Sequence, residues 1–187
     1  MDEDMAVLIG YATAAGSTRG VAERVAARLA QHGLRGECRA LGPDVDPASY
    51  DAWVVGSAVH GMAWLPAGLE FLRRAAAVPV RPCWCFSVGG MTPSGWARRW
   101  MGAQELRRVE QGFPAGLDVR DHRLFAGVVV TDGVPLAGRA FWRAIGGHPG
   151  DQRDWPAIDR WADDVAADLD GSVGRPPAPR KDAGDHR

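Results

Sequence analysis

The chain has 187 residues, 46% of them hydrophobic, and a formal net charge of −1 at pH 7, which suits one domain with a substantial core and is short for two. Charge so near balance supplies no field to draw in nucleic acid or an acidic membrane, and no nucleic-acid motif is present. The longest apolar runs fall far short of a membrane span and the opening MDEDM is acidic where a secretory signal needs positive charge, so the expectation is a cytoplasmic protein with no integral membrane segment.

In chain order, the apolar run Ala6–Ile9 predicts a buried strand, and Val21, Val25 and Leu29, with Ala22 and Ala26 beside them, predict a helix ending near Gly33. Between them lies the hydroxyl-rich turn YATAAGST, Tyr11–Thr18. Arg35–Leu41 predicts a second strand, and Gly42, Pro43, Asp44, Asp46 and Pro47 a loop. Ala52–Val55 is a buried strand leading into a loop at Ser57–Trp64 and a helix over Leu65–Ala76. Cys83–Val88 is another core strand that exits into Gly89–Gly95, and Trp96–Gln111 reads as a helix in two pieces split near Gly102. Leu124–Val130 is the last strand expected. Residues 131–150 form a glycine-rich connection, after which Asp154 caps a helix with the apolar stripe Ile158, Trp161, Val165 and Leu169. From Gly171 to Arg187 the chain lacks an apolar pattern and reads as a disordered tail. Cys38, Cys83 and Cys85 lack C-x-x-C spacing and fit buried reduced thiols better than metal ligands.

Five mostly continuous apolar runs alternating with helices imply an α/β fold: a doubly wound, five-stranded parallel sheet in the order 2-1-3-4-5 with helices on both faces. Ligands of such sheets bind beyond the carboxyl ends of the strands beside the switch point, where the loops Thr13–Thr18, Ser57–Trp64 and Ser87–Gly95 converge. A strand that runs through small and hydroxyl residues into a helix presents free backbone N–H groups and a positive helix end, so the first loop can hold a phosphate without a lysine. Thr13, Ser17 and Thr18 would add hydroxyl donors. Neither G-x-G-x-x-G nor G-x-x-x-x-G-K-[ST] is present, which points to a monoester in place of a pyrophosphate. The competing reading of Ser17 or Thr18 is an ordinary helix N-cap. The second and third loops suit a flat, partly apolar ring: Ser57, Ala58 and Val59 offer backbone, and His60, Met62 and Trp64 offer faces. Gly61 takes a positive φ at little cost, so the His60–Gly61 peptide could turn to meet a ring nitrogen. His60 is the one candidate acid or base near the ring, against the alternative of an exposed loop histidine. Trp64 either covers the ring or covers the core.

The strings TAAGST, VVGSAVHGMAWLPAGLEFL, FSVGG and GDQRDWPAIDRWADDVA together resemble the flavodoxin superfamily, and especially the branch similar to menaquinone-dependent protoporphyrinogen dehydrogenase, over about Met5–Leu169. The resemblance implies a flavodoxin-like domain over 1–170 that binds FMN. Its phosphate would lie at Thr13, Ala14, Ala15, Gly16, Ser17 and Thr18. Its ring would lie between Ser57, Ala58, Val59, His60 and Gly61 on one side and Ser87, Val88, Gly89 and Gly90 on the other. Response regulators, which share the fold, need acids after the first strand and a lysine after the last; Tyr11–Thr18 has no acid and Lys181 is the sole lysine.

Three departures from the family pattern stand out. Ala15 replaces the usual threonine, electron-carrier flavodoxins are acidic where this chain is near neutral, and Gly133–Gly150 is shorter than the matching segment of the porphyrin-oxidising relatives. In that segment Phe141 and Trp142 either close the core or line a substrate cavity with Trp96 or Trp100. The implied activity is an FMN-dependent oxidoreductase of protoporphyrinogen dehydrogenase type, with no metal. The alternatives are a one-electron carrier to a redox partner protein and a flavin-free binding protein. A small-molecule substrate or a redox protein is the expected partner, and a homo-oligomer stays open.

Overall fold

A computed structural model describes residues 5–89, 96–129 and 150–172. Its main sheet is built from the parallel strands β1 (Val7–Ala12), β2 (Gly36–Ala40), β3 (Ala52–His60), β5 (Pro82–Gly89) and β6 (Asp118–Ala126), with a short strand β4 (Ala63–Trp64) antiparallel to β3. The order across it is β2-β1-β3-β5-β6, which is the expected 2-1-3-4-5 once β4 is set aside. The helices are α1 (Ser17–Gln31), α2 (Pro66–Ala76), α3 (Trp96–Glu110) and α4 (Trp155–Ser172).

Both faces of the sheet are covered, which is why the central strands read as unbroken apolar runs. On one face Val21, Val25 and Leu29 of α1 meet Ile158, Trp161, Val165 and Leu169 of α4 over Ile9, Val54 and Phe86. On the other, Phe71, Leu72 and Ala75 of α2 and Val109 of α3 pack on Leu8, Val55 and Cys85. Full burial of each such aliphatic or aromatic side chain contributes roughly 1.5–3 kcal/mol.

Several boundaries differ from those read off the sequence. Strand β1 continues to Ala12 because Gly10, Tyr11 and Ala12 go on pairing with β3. The stretch 57–64, expected as a loop, is a hairpin: β3 runs on to His60 and returns through β4, with His60 opposite Ala63. Helix α3 is unbroken, since one interior glycine costs only about 1 kcal/mol, and Gly102 faces Leu124, whose Cδ2 would be 3.6 Å from a Cβ there. The last parallel strand starts at Asp118, six residues before Leu124, and stops at Ala126. Its first half alternates charge in place of an apolar run because β6 ends the sheet, where Asp118–Arg120 and Asp121–Arg123 pair along its length. Val128–Val129 (β7) instead pair antiparallel with Gly150–Asp151 (β8). Helix α4 runs through Ser172, past the expected end of the domain at 170.

The expectations for Gly90, for the rest of the exit after β5, for Phe141 and Trp142 and for residues 173–187 lie outside the described residues, as do those for the side chains of Trp96 and Trp100. Cys83 and Cys85 are buried and Cys38 half-buried, all as free thiols; burial pushes the Cys38 thiol up to about 11. Among the described residues no helix is long and apolar enough to cross a membrane.

The seam between α1 and α4 carries charge. Arg24 holds Asp159 through two hydrogen bonds of 2.6 Å, and Arg28 holds Asp163 at 2.7 and 2.9 Å, with His32 Nε2 2.6 Å from the same carboxylate. The Arg28 guanidinium, aided by His32, depresses the Asp163 carboxyl to about 2, against roughly 3.9 in an unfolded chain. A carboxyl whose folded value is depressed stabilises the fold above its unfolded value and loses that contribution as pH falls toward the folded one. Urea melts of the wild type between pH 5 and 2 should therefore lose stability more steeply than those of Asp163→Asn. Parallel pH profiles would contradict the seam's role.

Candidate functional site

Backbone pairing aligns the carboxyl ends of the strands. Ala12 lies opposite Ser57, Ser57 opposite Ser87, and Gly89 opposite Ala126, so the Thr13–Thr18 turn, the hairpin and the exit of β5 share one edge. At the first of these, Thr13 Oγ1 accepts the Gly16 N–H at 2.9 Å. Gly16 is the N-cap residue at φ 87°, with no side-chain cap on the helix; that left-handed backbone suits glycine alone at little cost. Ser17 and Thr18 are thus inside α1 and do not cap it. The Gly20 N–H reaches Gly16 O at 3.2 Å, while the amides before it have no acceptor within the helix. No acidic residue sits in the first turn to neutralise them.

Ala14, Ala15 and Gly16 are exposed, Ser17 is half-buried, and Thr18 is fully buried. Among the described residues Thr18 Oγ1 has no hydrogen-bond partner. An unpaired buried hydroxyl costs about 1–3 kcal/mol, so one at a helix end rich in free donors fits an anionic oxygen as its missing partner. Donors without a compensating acid are the chemistry a phosphate monoester requires.

At the second loop Ala58 and Val59 are half-buried and His60 is exposed. The two-residue turn has φ 59° at Gly61 and 66° at Met62, the pair of positive values that a type I′ hairpin turn demands. Met62, 50% exposed, stands at the tip with His60 beside it. Trp64 does not face the edge: it is 3% exposed, set edge-on to Phe113 and His122, and covers the core. Ser57 and Ser87 also turn their hydroxyls inward. Ser57 Oγ accepts the Leu65 N–H at 3.0 Å, which holds the start of α2. What β3 and β5 present at the edge is therefore mainly backbone, at Ala58–Gly61 and Gly89, with the His60 side chain exposed beside it; the Val88 side chain is in the core.

Three contributors have no motif to betray them. The Gly127 N–H donates to Gly89 O at 2.8 Å, and a Cβ on Gly127 would lie 3.4 Å from Ser17 Oγ, so the exit of β6 wedges between the first and third loops. Glu105 of α3 places Oε1 3.3 Å from where a Gly89 Cβ would stand, and burial pushes its carboxyl up. Arg153 reaches the flank of α1.

Beneath the edge, Trp64 Nε1–H donates to Ser87 Oγ at 2.7 Å, Ser87 lies 2.9 Å from His122 Nε2, and His122 Nδ1 lies 3.0 Å from Glu110 Oε1. Burial pushes the His122 imidazole below its ordinary value, outweighing the nearby Glu110 carboxylate. The ring is therefore neutral near pH 7, and donor accounting gives Nδ1–H to Glu110 and Ser87 O–H to Nε2. Serine, histidine and carboxylate stand in the order of a hydrolytic relay, but Ser87 Oγ lies beneath the edge and is already engaged by both Trp64 and His122, which commits it to the scaffold. The chain of bonds anchors Trp64 and, through it, the base of the hairpin.

The family model for the flavodoxin domain matches residues 8–154. Among solved structures, a flavodoxin from the domain Archaea is 18% identical, aligning 89% of this chain with 99% of its own at a TM-score of 0.53. Oxidised Flavodoxin 1 from Bacillus cereus is 12% identical over 87% of this chain and 97% of its own, at 0.52. Rubredoxin oxygen:oxidoreductase from Desulfovibrio gigas is 15% identical and aligns with 91% of this chain at 0.53, but the match spans only 37% of that longer protein. Identities this low speak to the fold. No curated protein matches the chain.

The buried bonds under the edge have a measurable consequence. Ser87→Ala leaves the Trp64 N–H and His122 Nε2 unpaired in the core and should cost about 1–3 kcal/mol for each group stranded, read from urea unfolding. Because the folded His122 value lies below the unfolded one of about 6.5, wild-type stability should fall as pH drops below that value and the unfolded chain takes up the proton. His122→Phe should flatten that part of the profile. A loss below about 0.5 kcal/mol in Ser87→Ala, the scale of an ordinary surface substitution, would show that the bonds contribute little.

Proposed function

The chain belongs to the flavodoxin domain family, and on that premise we propose that it binds FMN and acts as an FMN-dependent oxidoreductase. The observation that carries this reading is the buried, unpartnered Thr18 hydroxyl in an acid-free helix end whose loop is exposed. The amides of Ala14, Ala15, Ser17 and Thr18 with the hydroxyls of Thr13, Ser17 and Thr18 would hold the phosphate, with Gly16, whose N–H goes to Thr13 Oγ1, shaping the turn. Ala58–Gly61, with Val88, Gly89 and Gly90, would flank the ring. The bound flavin supplies transfer of a hydride or of single electrons, while the protein binds, orients and tunes it. His60, exposed at the end of β3, is the side chain of the hairpin able to hold or release a proton at its imidazole. A cytoplasmic location belongs to the same proposal.

Within this class, activity of the menaquinone-dependent protoporphyrinogen dehydrogenase type rests on the sequence resemblance. Its D-W-x-x-I-x-x-W-A string is used for packing: Ile158, Trp161 and Ala162 are buried in the core. A second reading, a carrier that passes electrons to a protein partner, is favoured by Met62 at the hairpin tip, a large apolar side chain half in solvent next to the proposed ring.

The deciding experiment is incubation with FMN, desalting, and an anaerobic reductive titration of whatever flavin is retained. Reduction in a single two-electron step supports the enzyme, two separate one-electron steps support the carrier, and a colourless protein overturns the FMN assignment. Thr18→Val tests the phosphate site directly. Removing a hydrogen bond to a charged oxygen should weaken FMN at least about tenfold, while the apoprotein keeps or gains stability because no hydroxyl is buried unpaired. Unchanged FMN affinity would place the phosphate elsewhere.

A further inference from the structure

We infer that Arg153 is a positioning and specificity-determining residue for the phosphate, making the site select phosphorylated over unphosphorylated flavin; this rests on the FMN reading above. The starting point is Gly20, the fourth residue of α1, in a helix interior where glycine is a poor choice. A Cβ at Gly20 would overlap Arg153 Nη1 and stand 3.6 Å from Cζ. The guanidinium occupies the space a side chain would take. Because Cα–Cβ bonds tilt toward the helix N-terminus, that space lies over the turn containing Gly16 and Ser17.

The guanidinium is held there from three sides. Asp151 accepts from Nε at 2.8 Å and from Nη2 at 2.6 Å, and also takes the Arg153 backbone N–H at 3.1 Å. The Trp155 ring lies 4.4 Å beneath Cζ. Nη1, the nitrogen outside the carboxylate fork, is the one against Gly20. The exit of β6 delivers the whole group: Gly127 lies beside Ser17, its carbonyl takes the Gln152 N–H at 3.1 Å, and Val128 pairs with Asp151.

A cation at the positive end of a helix is unfavourable unless an anion lies between. Asp151 balances the arginine's own charge but leaves the helix end and the Thr18 hydroxyl unanswered. A dianionic phosphate monoester answers both and accepts from Nη1 as well, whereas an uncharged ribityl hydroxyl brings no charge to any of them.

The test is fluorescence titration of the full-length apoprotein with FMN and, separately, with riboflavin. Arg153→Gln should weaken FMN about ten- to a hundredfold, the range of one charge-assisted hydrogen bond, and leave riboflavin affinity unchanged. Gly20→Ala keeps the arginine but pushes its flexible end away. It should weaken FMN in the same direction while the melting temperature of the apoprotein holds or rises. FMN and riboflavin weakening together in Arg153→Gln, or FMN unaffected in both variants, overturns the assignment to Arg153. Should the wild type bind neither flavin, the FMN reading itself fails, and the inference with it.

Discussion

Parallel backbone pairing sets Ala12 beside Ser57 and Ser57 beside Ser87, and the usefulness of the carboxyl edge depends on that registration. Side chains alternate along a strand, so a slip of one residue would drive the polar Ser87 into the face covered by α1 and α4 and Phe86 toward the opposite face. The helices enforce it. Phe86 and Trp84 belong to the face covered by α1 and α4, while Cys83 and Cys85 belong to the face covered by α2. Two different sets of partners therefore penalise a slip in either direction. The three loops meet because the core permits one alignment.

Against this tightly satisfied interior, polar groups near the first loop are unfinished. Ser57 and Ser87 are both fully buried and both bonded, one to the Leu65 amide and the other to Trp64 and His122. Thr18, equally buried, has no partner. Buried polar groups in folded proteins are overwhelmingly paired, so this exception among the described residues, beside uncapped helix amides, is what the proposed phosphate would answer. Asp151 and Arg153 show the complementary arrangement, a charge neutralised and fixed before any ligand arrives, which lowers the ordering cost of binding.

Much of this was legible in the residues. Continuous apolar runs at Ala52–Val55 and Cys83–Val88 exist because those strands are covered on both faces, and the Asp154 cap is realised as a hydrogen bond from Ala157 N–H at 3.0 Å. The loop Thr13–Thr18 was recognisable because its chemistry is local, a strand running into a helix. The first six residues of β6, Asp118–Arg123, escaped because their Asp and Arg side chains pair along the sheet edge and imitate a solvated segment. The hairpin escaped because Gly61 and Met62 close it in two residues, without the Asn-Gly or Asp-Gly that signals such turns. Arg153 and Gly127 escaped for a different reason. Their place beside α1 is a tertiary contact between residues more than a hundred positions apart, and no spacing rule encodes it.

The hairpin joins two opposed requirements at the proposed ring. Its base is fixed: Val59 pairs with Trp64, and Trp64 is locked by Ser87 and packed on Phe113. Its tip carries Met62 at φ 66°, a left-handed conformation that a side chain adopts at a cost of the order of 1 kcal/mol. Nothing in the turn's own sequence compensates that cost, so it is sustained by the pairing below it. Both turn residues lie within the left-handed region, and the His60–Gly61 peptide sits between a rigid strand and a glycine that tolerates either orientation. A rigid base with an adaptable peptide above it would suit the proposed ring, because a peptide next to glycine can present either its N–H or its C=O to a ring edge.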